Sequence, residues 1–450
     1  MNRRKTTIAL AICLACVTAS VAGPGEKWVS LFNGKDLSGW KQVNGGAHYE
    51  VKDGMIVGVN VKDSPNSFLV TEKTYGDFIL ELDVKIDEGV NSGIQFRSAQ
   101  KKEDGRVFGY HMEVDHRKER GWSGGIYDES RRGWLYPVDL NPVAKTAYHW
   151  GDWNTYRIEC IGTSIRTWVN NVPVALLIDD TSLTGFIGLQ VHAIYKPEDV
   201  GKRTFWKNIR IQTEGLQASP ANDIRVVNEV PNYLSPAEER LGFRLLWDGK
   251  TSSGWRGAFK DKFPDKGWEM KDGVLSVIPS GGKESQNGGD IITTEKFGAF
   301  ELVFDFKFTE GANSGVKYFV DEKYLSTGSA IGLEYQILDD SRHPDAKMGV
   351  VGNRTLASLY DLIPSIKISD LPREWNEGRI VVYPDNRIEH WLNGRKVVEY
   401  QRGTPIYMAL VARSKYSNYD GFGMAEKGHI LLQDHGDAVS FRSIKIREIK

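Results

Sequence analysis

Residues 78–93, FILELDVKIDEGVNSG, and residues 300–315, FELVFDFKFTEGANSG, are one motif written twice. In each, apolar residues fall at every second position: Phe78, Leu80, Leu82, Val84 and Ile86 in the first, Phe300, Leu302, Phe304, Phe306 and Phe308 in the second. Period two with aromatic and β-branched side chains is the signature of a strand with one buried face. The echo extends in both directions and keeps its order. LFNGKDLSGW (31–40) is answered by LLWDGKTSSGW (245–255), YEVKDGMIVG (49–58) by WEMKDGVLSV (268–277), NSGIQF (91–96) by NSGVKYF (313–319), and IGLQVHA (187–193) by ILLQDHG (430–436). The period is far longer than a solenoid repeat, so each copy is expected to close its own core.

Other segments alternate in the same way, among them YRIECIGTSIRTWV (156–169) and GRIVVYPDNRIEHWL (378–392), with turn residues between them. No long amphipathic helix is evident. An all-β chain of two antiparallel sandwiches follows, because each sheet needs a partner for its apolar face. The boundaries read as a signal segment at 1–22, a first domain at 23–213, a linker at 214–242 and a second domain at 243–450. The linker loses alternation and gathers Pro, Asn and Ser; SPAEERL (235–241) is its one helix candidate, with Ser235 as cap and Pro236 in the first turn. WVNNVPVALL (168–177) and WLNGRKVVEY (391–400) read as hairpins. Trp168 and Trp391 there suit sugar platforms or hairpin packing, the second being the commoner role for Trp in a sandwich.

The chain has 450 residues, 40% of them hydrophobic, enough for two ordinary domains. It opens with basic MNRRK, apolar TTIALAICLACV and small residues ending at Ala22, the pattern of an export signal. Secretion or periplasmic residence is expected. Lipid attachment at Cys13 or Cys16 is disfavoured, since neither is preceded by the usual Leu-small-small pattern. Removing Arg3, Arg4 and Lys5 from a chain of net charge −1 leaves −4, which suggests neither nucleic acid nor an anionic membrane as partner. Nothing later in the sequence resembles a membrane span. Cys160 alone would remain, so stability must come from the cores. Composition is silent on oligomeric state.

Polar groups beyond a sandwich's needs gather in three places. In GYHMEVDHRKERGWSGGIYDESRRGWLYP (109–137), alternation puts His111, Glu113 and Asp115 on one strand face, followed by Tyr127, Asp128, Arg131, Arg132 and Trp134. In GLEYQILDDSRHPDAKMGVVGNRTLASLYDLIP (332–364), Glu334 and Gln336 occupy the matching face, followed by Arg354, Tyr360 and Asp361. Arg, Tyr, Trp and acid together suit a small-molecule sugar, whose hydroxyls need polar partners and whose CH faces need aromatic ones. The third place is a strand end carrying His192 in one copy and Asp434 with His435 in the other. The second copy also inserts ARSKYSNYDGFGMAEKG (412–428), which reads as a flap. Glu334, Asp339, His343 and His435 offer oxygen and imidazole donors for one divalent metal ion, Glu334, Asp339 and His343 being the candidate ligands, although no established metal motif is present. No organic cofactor is suggested.

At these residues the chain resembles the 3-keto-disaccharide hydrolase family. The likeness rests on LFNGKDLSGW, the NSG turn, WSGGIYDESRRGWLYP, EYQILDDSRHPDAK, NRTLASLYDL, WLNG and the terminal GHILLQDHGDAVSFRSIKIRE. It implies two concanavalin or laminin-G-like jelly rolls in tandem, acting on glycosides whose C3 is a ketone. A C3 ketone acidifies the C2 hydrogen, so the implied chemistry is C2 deprotonation, loss of the C1 substituent and hydration, net hydrolysis. The resemblance gives base or metal-ligand roles to Glu334, Asp339, His343 and His435, with Gln336, Arg354, Tyr360 and Asp361 gripping substrate; that group, together with the inserted flap, makes the second copy the expected main catalytic centre. His111, Glu113, Asp115, Tyr127, Asp128, Arg131, Arg132, Trp134 and His192 would bind sugar in the first. Two rivals stay open: a non-catalytic lectin-like pair on the same fold, and a retaining glycosidase of laminarinase type using Glu113 and Asp115.

Overall fold

The computed structural model describes residues 27–323, 330–366 and 374–450. The expected export signal at residues 1–22, with Cys13 and Cys16, lies outside the described residues. Each copy is a two-layer antiparallel sandwich of jelly-roll type. In the first, a nine-stranded sheet holds Phe78–Ile86 between Asn154–Ile161 and Arg203–Gln212. Against it lies a seven-stranded sheet whose order is Gly133–Tyr136, Ile126–Glu129, Val107–Asp115, Asn91–Gln100, Phe186–Val191, Ser67–Thr71 and Trp40–Asn44. In the second copy an eight-stranded sheet places Phe300–Phe308 between Asn376–Val382 and Val439–Glu448. Its partner has five strands, in the order Trp255–Gly257, Ile291–Thr293, His429–Leu432, Asn313–Asp321 and Ile331–Leu338.

The opening motif does what its period requires. Phe78, Leu80, Leu82 and Val84 enter the first core against Ile94, Phe96, Tyr110 and Met112 of the facing sheet. Phe300, Leu302, Phe304 and Phe306 enter the second against Val316, Tyr318 and Tyr335. Each sandwich closes its own main hydrophobic cluster between its two sheets, with loop residues added at the margin. Cys160 belongs to the first, and burial pushes its thiol up to about 12, leaving it chemically inert. The duplication reaches irregularities that composition cannot reveal. The strand after NSG carries a bulge in both copies, at Arg97 (φ 44) and at Phe319 (φ 53). The hairpins turn on Asn170-Asn171 (φ 49 and 64) and Asn393-Gly394 (φ 47 and 77), the double positive-φ geometry that a two-residue loop demands. Trp168 and Trp391 sit beside these turns on the larger sheets, packed under Arg166 at 4.7 Å and Arg379 at 4.8 Å.

Three elements differ from the sequence reading. NSG is no turn: Asn91–Gln100 and Asn313–Asp321 begin with it, so its residues are paired in strands. The linker contributes a strand, Val227–Asn228, which runs parallel to Val172–Ile178 and extends the first sandwich. The expected helix follows at Pro236–Arg240, with Ser235 and Glu238 forming a reciprocal cap. An unexpected second helix, Pro405–Ala412, leads into the inserted segment and is capped by Thr404. A fragment of residues 27–230 is therefore expected to melt several degrees above one of residues 27–213, because the shorter one strips the parallel strand and bares Leu177 and Ile178. Equal melting temperatures by circular dichroism would show that Val227–Asn228 adds nothing to the first fold.

Candidate active site

On the outer face of the seven-stranded sheet lies a cleft of about 1190 Å³. The pleat decides which side chains reach it. In strand Val107–Asp115, Tyr110, Met112 and Val114 turn inward, so His111 and Glu113 turn outward onto the cleft floor. His111 stands opposite Tyr127 and Gly109 opposite Glu129, which brings Tyr127 and Glu129 to the same face. On the other flank, Gly93 of NSG pairs with Glu113 and lies beside Gln95, the partner of His111. A Cβ on Gly93 would overlap the His111 imidazole, so the ring lies across the neighbouring strand in space that only glycine leaves free. Gln190 and His192, from the next strand and its exit, complete the floor.

The floor's titratable groups are driven in opposite directions. Burial pushes the Glu113 carboxyl up to about 8, despite a hydrogen bond from the Asn91 amide. Burial, with His192 close by, lowers His111 to about 3. Its Nε2 lies 3.7 Å from Glu113 Oε2. His192 is lowered as well, mainly by burial. Its Nδ1 meets Ala193 O at 2.6 Å, which assigns the proton to Nδ1 and leaves Nε2 as an acceptor. At neutral pH the cleft thus holds a protonated carboxyl beside two uncharged imidazoles. Burial also raises Glu129, which accepts from Asn66 at 3.4 Å. Trp134, Trp122 and Tyr127 form an aromatic wall with ring centroids 5.2 and 5.4 Å apart, and Arg120 lies over Trp122 at 4.4 Å.

Four residues expected to bind sugar do not line this cleft. Asp128 has the opposite pleat parity to Tyr127; it pairs with Tyr110 and is locked by Arg131 at 2.9 Å and Arg132 at 2.5 Å. Arg132 also holds Asp179 at 2.5 Å, and Arg131 donates to Ser182. These three are a structural ion cluster. Asp115 is buried beneath Arg117 at 2.8 Å and Arg120 at 3.8 Å. The Glu113–Asp115 pair of the laminarinase reading is therefore not presented together to the cleft.

In the second copy Glu334 occupies the His111 position, lying over Gly315 as His111 lies over Gly93. The insertion roofs it: Tyr416 stacks on Phe422 at 4.0 Å, and its hydroxyl donates to Glu334 at 3.4 Å. Gln336 meets Asn313 at 3.2 Å, and Asn313 meets His435 at 3.3 Å. Arg354 is committed to Asp345 at 2.9 Å and Asp361 at 2.7 Å, while the Tyr360 hydroxyl donates to Asp345 at 2.7 Å. That knot pins the loop, so these side chains are held by one another. Asp339 accepts from the Gly311 and Ser341 amides and organises a turn. His343 and His435 approach at 6.1 Å between rings. Among the described residues no three His, Cys, Asp or Glu side chains converge as a metal-binding group, so Glu334, Asp339 and His343 do not form the expected ligand set. Asp434 is a buried acceptor for the Gly288 and Gly289 amides.

Sequence reasoning missed Asn91, Glu129, Gln190 and Trp122 in the cleft and Asp345 in the loop knot. Asn91 and Gln190 had a signal, since Asn313 and Gln433 repeat them. Glu129 follows from Tyr127 by strand parity.

A polar, aromatic-walled cleft on a jelly-roll sheet has the make-up that a sugar ring requires. The 3-keto-alpha-glucoside-1,2-lyase-like domain matches this chain twice, over residues 27–212 and 242–447, and the chain belongs to that family. A relative from Bacteroides thetaiotaomicron, named 3-keto-disaccharide hydrolase, is 38% identical over 229 residues, spanning 46% of this chain and 78% of its own length. Among solved structures, a Parabacteroides distasonis protein provisionally described as a glycosyl hydrolase is 29% identical, covering 49% of this chain and 100% of its own, with a TM-score of 0.43. A Bacillus subtilis protein with a galectin-like fold is 13% identical, covering 40% of this chain and 90% of its own, with a TM-score of 0.32. The chain is thus a carbohydrate hydrolase of the keto-glycoside-cleaving family.

Gly93→Ala tests the floor. It is expected to cost about 1–3 kcal/mol by overpacking against His111. His111→Ala in the same chain should recover most of that loss, read as a coupling in urea unfolding. Additive losses would mean that the ring does not need the space.

Proposed function

We propose that the protein cleaves 3-keto-glycosides in the first-copy cleft by elimination and rehydration. The observation that carries this reading is the pairing there of a carboxyl held protonated at neutral pH, Glu113, with an uncharged imidazole, His192, whose Nε2 is free to accept. His192 takes the C2 proton, made acidic by the C3 ketone. As the enolate collapses, the C1–O bond breaks and Glu113 gives its proton to the departing oxygen. Water then adds to the C1=C2 bond: the Glu113 carboxylate takes a proton from the attacking water, and the imidazolium returns one to C2. Both groups end as they began, and the products are a 3-keto sugar and a free alcohol. His111, uncharged and next to Glu113, keeps the floor free of a fixed cation that would ionise the carboxyl. Trp122, Trp134 and Tyr127 offer apolar faces to the ring. Export to the periplasm or beyond, where such sugars would be met, is part of the same proposal.

The scheme sets a pH window. The active form needs His192 neutral and Glu113 protonated, so kcat/KM should fall below the lowered imidazole value, under 6.5, and above about 8. A profile that keeps rising through 9 would remove Glu113 as the acid. Glu113→Gln and His192→Ala should each reduce turnover of a 3-keto-disaccharide about 10²-fold or more, with Glu334→Gln mattering less. The reverse ranking would move the reaction to the second copy. In heavy water the released 3-keto sugar should carry deuterium at C2 beyond a no-enzyme control, and the unoxidised disaccharide should not react. Full retention of the C2 hydrogen would leave direct displacement at C1, and binding without turnover would leave the lectin reading.

A further inference from the structure

The aromatic wall of the first-copy cleft is not supported by the first copy alone. Trp134 lies on Gly133–Tyr136, an edge strand of four residues that among the described residues pairs only with Ile126–Glu129. Such an edge has few ladder bonds to fix it, and its open side needs a cover. Trp134 lines the large cleft on one side. On the other it lines a cavity of about 50 Å³ between the two sandwiches, enclosed with Leu140, Trp375, Gly394 and Arg442. That volume holds a water or two and no ligand.

The second-copy side of the seam is held by contacts of its own. Arg442 bonds Asp305 at 3.1 Å and covers the Trp375 ring at 4.1 Å, fixing that indole on the larger sheet. The hairpin turn at Gly394 reaches across: a Cβ placed on it would stand 3.3 Å from Leu140, which ends the short turn following Trp134's strand. Arg225 clamps the seam from outside, with its guanidinium on Glu377 at 2.5 Å and its carbonyl accepting from the Tyr136 hydroxyl at 2.9 Å. Tyr136 belongs to the same edge strand as Trp134.

We propose that the second copy is a positioning element for the first-copy site: Trp375 and the Gly394 turn hold Trp134 against Trp122 and Tyr127, so the affinity of the cleft for its sugar depends on the second sandwich. This rests on the reading that the first-copy cleft is where substrate reacts. Trp134 touches substrate; Trp375 acts only through it. The duplication is then no spare catalytic unit, and one copy serves as scaffold for the other's binding wall.

The test uses the full chain and a 3-keto-disaccharide. Trp375→Ala is expected to raise KM about tenfold with kcat within about twofold, the pattern of lost uniform binding. Trp134→Ala should do the same, and the double variant should be no worse than Trp134→Ala alone, since Trp375 acts through Trp134. Arg442→Gln, which leaves Trp375 in place but uncovered, should raise KM by a smaller factor and stands in if Trp375→Ala fails to fold by circular dichroism. An unchanged KM in Trp375→Ala and Arg442→Gln, with KM raised in Trp134→Ala, would overturn the inference. So would a fall in kcat at constant KM. Full activity in Glu113→Gln would instead overturn the choice of cleft.

Discussion

A side chain can lie flat across a neighbouring strand only where that strand offers no Cβ. This steric condition organises both sites of the protein. Gly93 and Gly315 sit at the same point of the repeated NSG, and His111 and Glu334 fill the space above them. Asn and Ser of the same motif are fixed in turn: Ser92 and Ser314 donate to the carbonyls of Gln190 and Gln433, stitching the NSG strand to the strand that carries the histidine. With that strand set, pleat parity delivers Glu113, Tyr127 and Glu129 to one face and sends Met112, Ile126 and Asp128 to the other.

What the two copies build on this shared floor differs in its electrostatics. The first places a carboxyl and two imidazoles where burial penalises charge, and the Arg117 charge nearby does not reverse the upward shift of Glu113. An acid pushed up and bases pushed down are both in their working forms over one pH interval. The second copy puts Lys317 next to Glu334, as its cross-strand neighbour, where the first has Gln95 beside His111. It then covers the pair with Tyr416. Burial still opposes the Lys317 charge, but the nearby Glu334 and Asp290 outweigh it and raise the ammonium. The floor of the second copy is thus compensated internally by its own charges, whereas that of the first faces an open cleft.

Most of the fold was legible because period two and the internal echo are local properties of the chain: the sandwiches, both hairpins and the Ser235 cap all follow from neighbouring residues. The cleft floor was half legible, since alternation from His111 to Glu113 needs only one strand. Asp128, Arg131 and Arg132 looked like sugar ligands because composition carries no parity, and only the pairing of Asp128 with Tyr110 shows that they turn away. The insertion's Gly and aromatic content suggested a flap, but its packing over Glu334 depends on a contact between residues 82 positions apart. The short apolar helix Pro405–Ala412 has no polar face for a periodicity argument to find. Val227–Asn228, two residues long, takes its strand character from the edge it joins.

The account turns on a carboxyl that stays protonated in an open cleft, and that can be measured without substrate. Carbon-13 labelling of glutamate, with Glu113→Gln identifying the resonance, allows the Glu113 carboxyl to be titrated by NMR in the intact protein. An apparent pKa near 8 is the result the account requires. Titration close to the ordinary glutamate value, about 4.3, would contradict it, because Glu113 would then be a carboxylate with no proton to give.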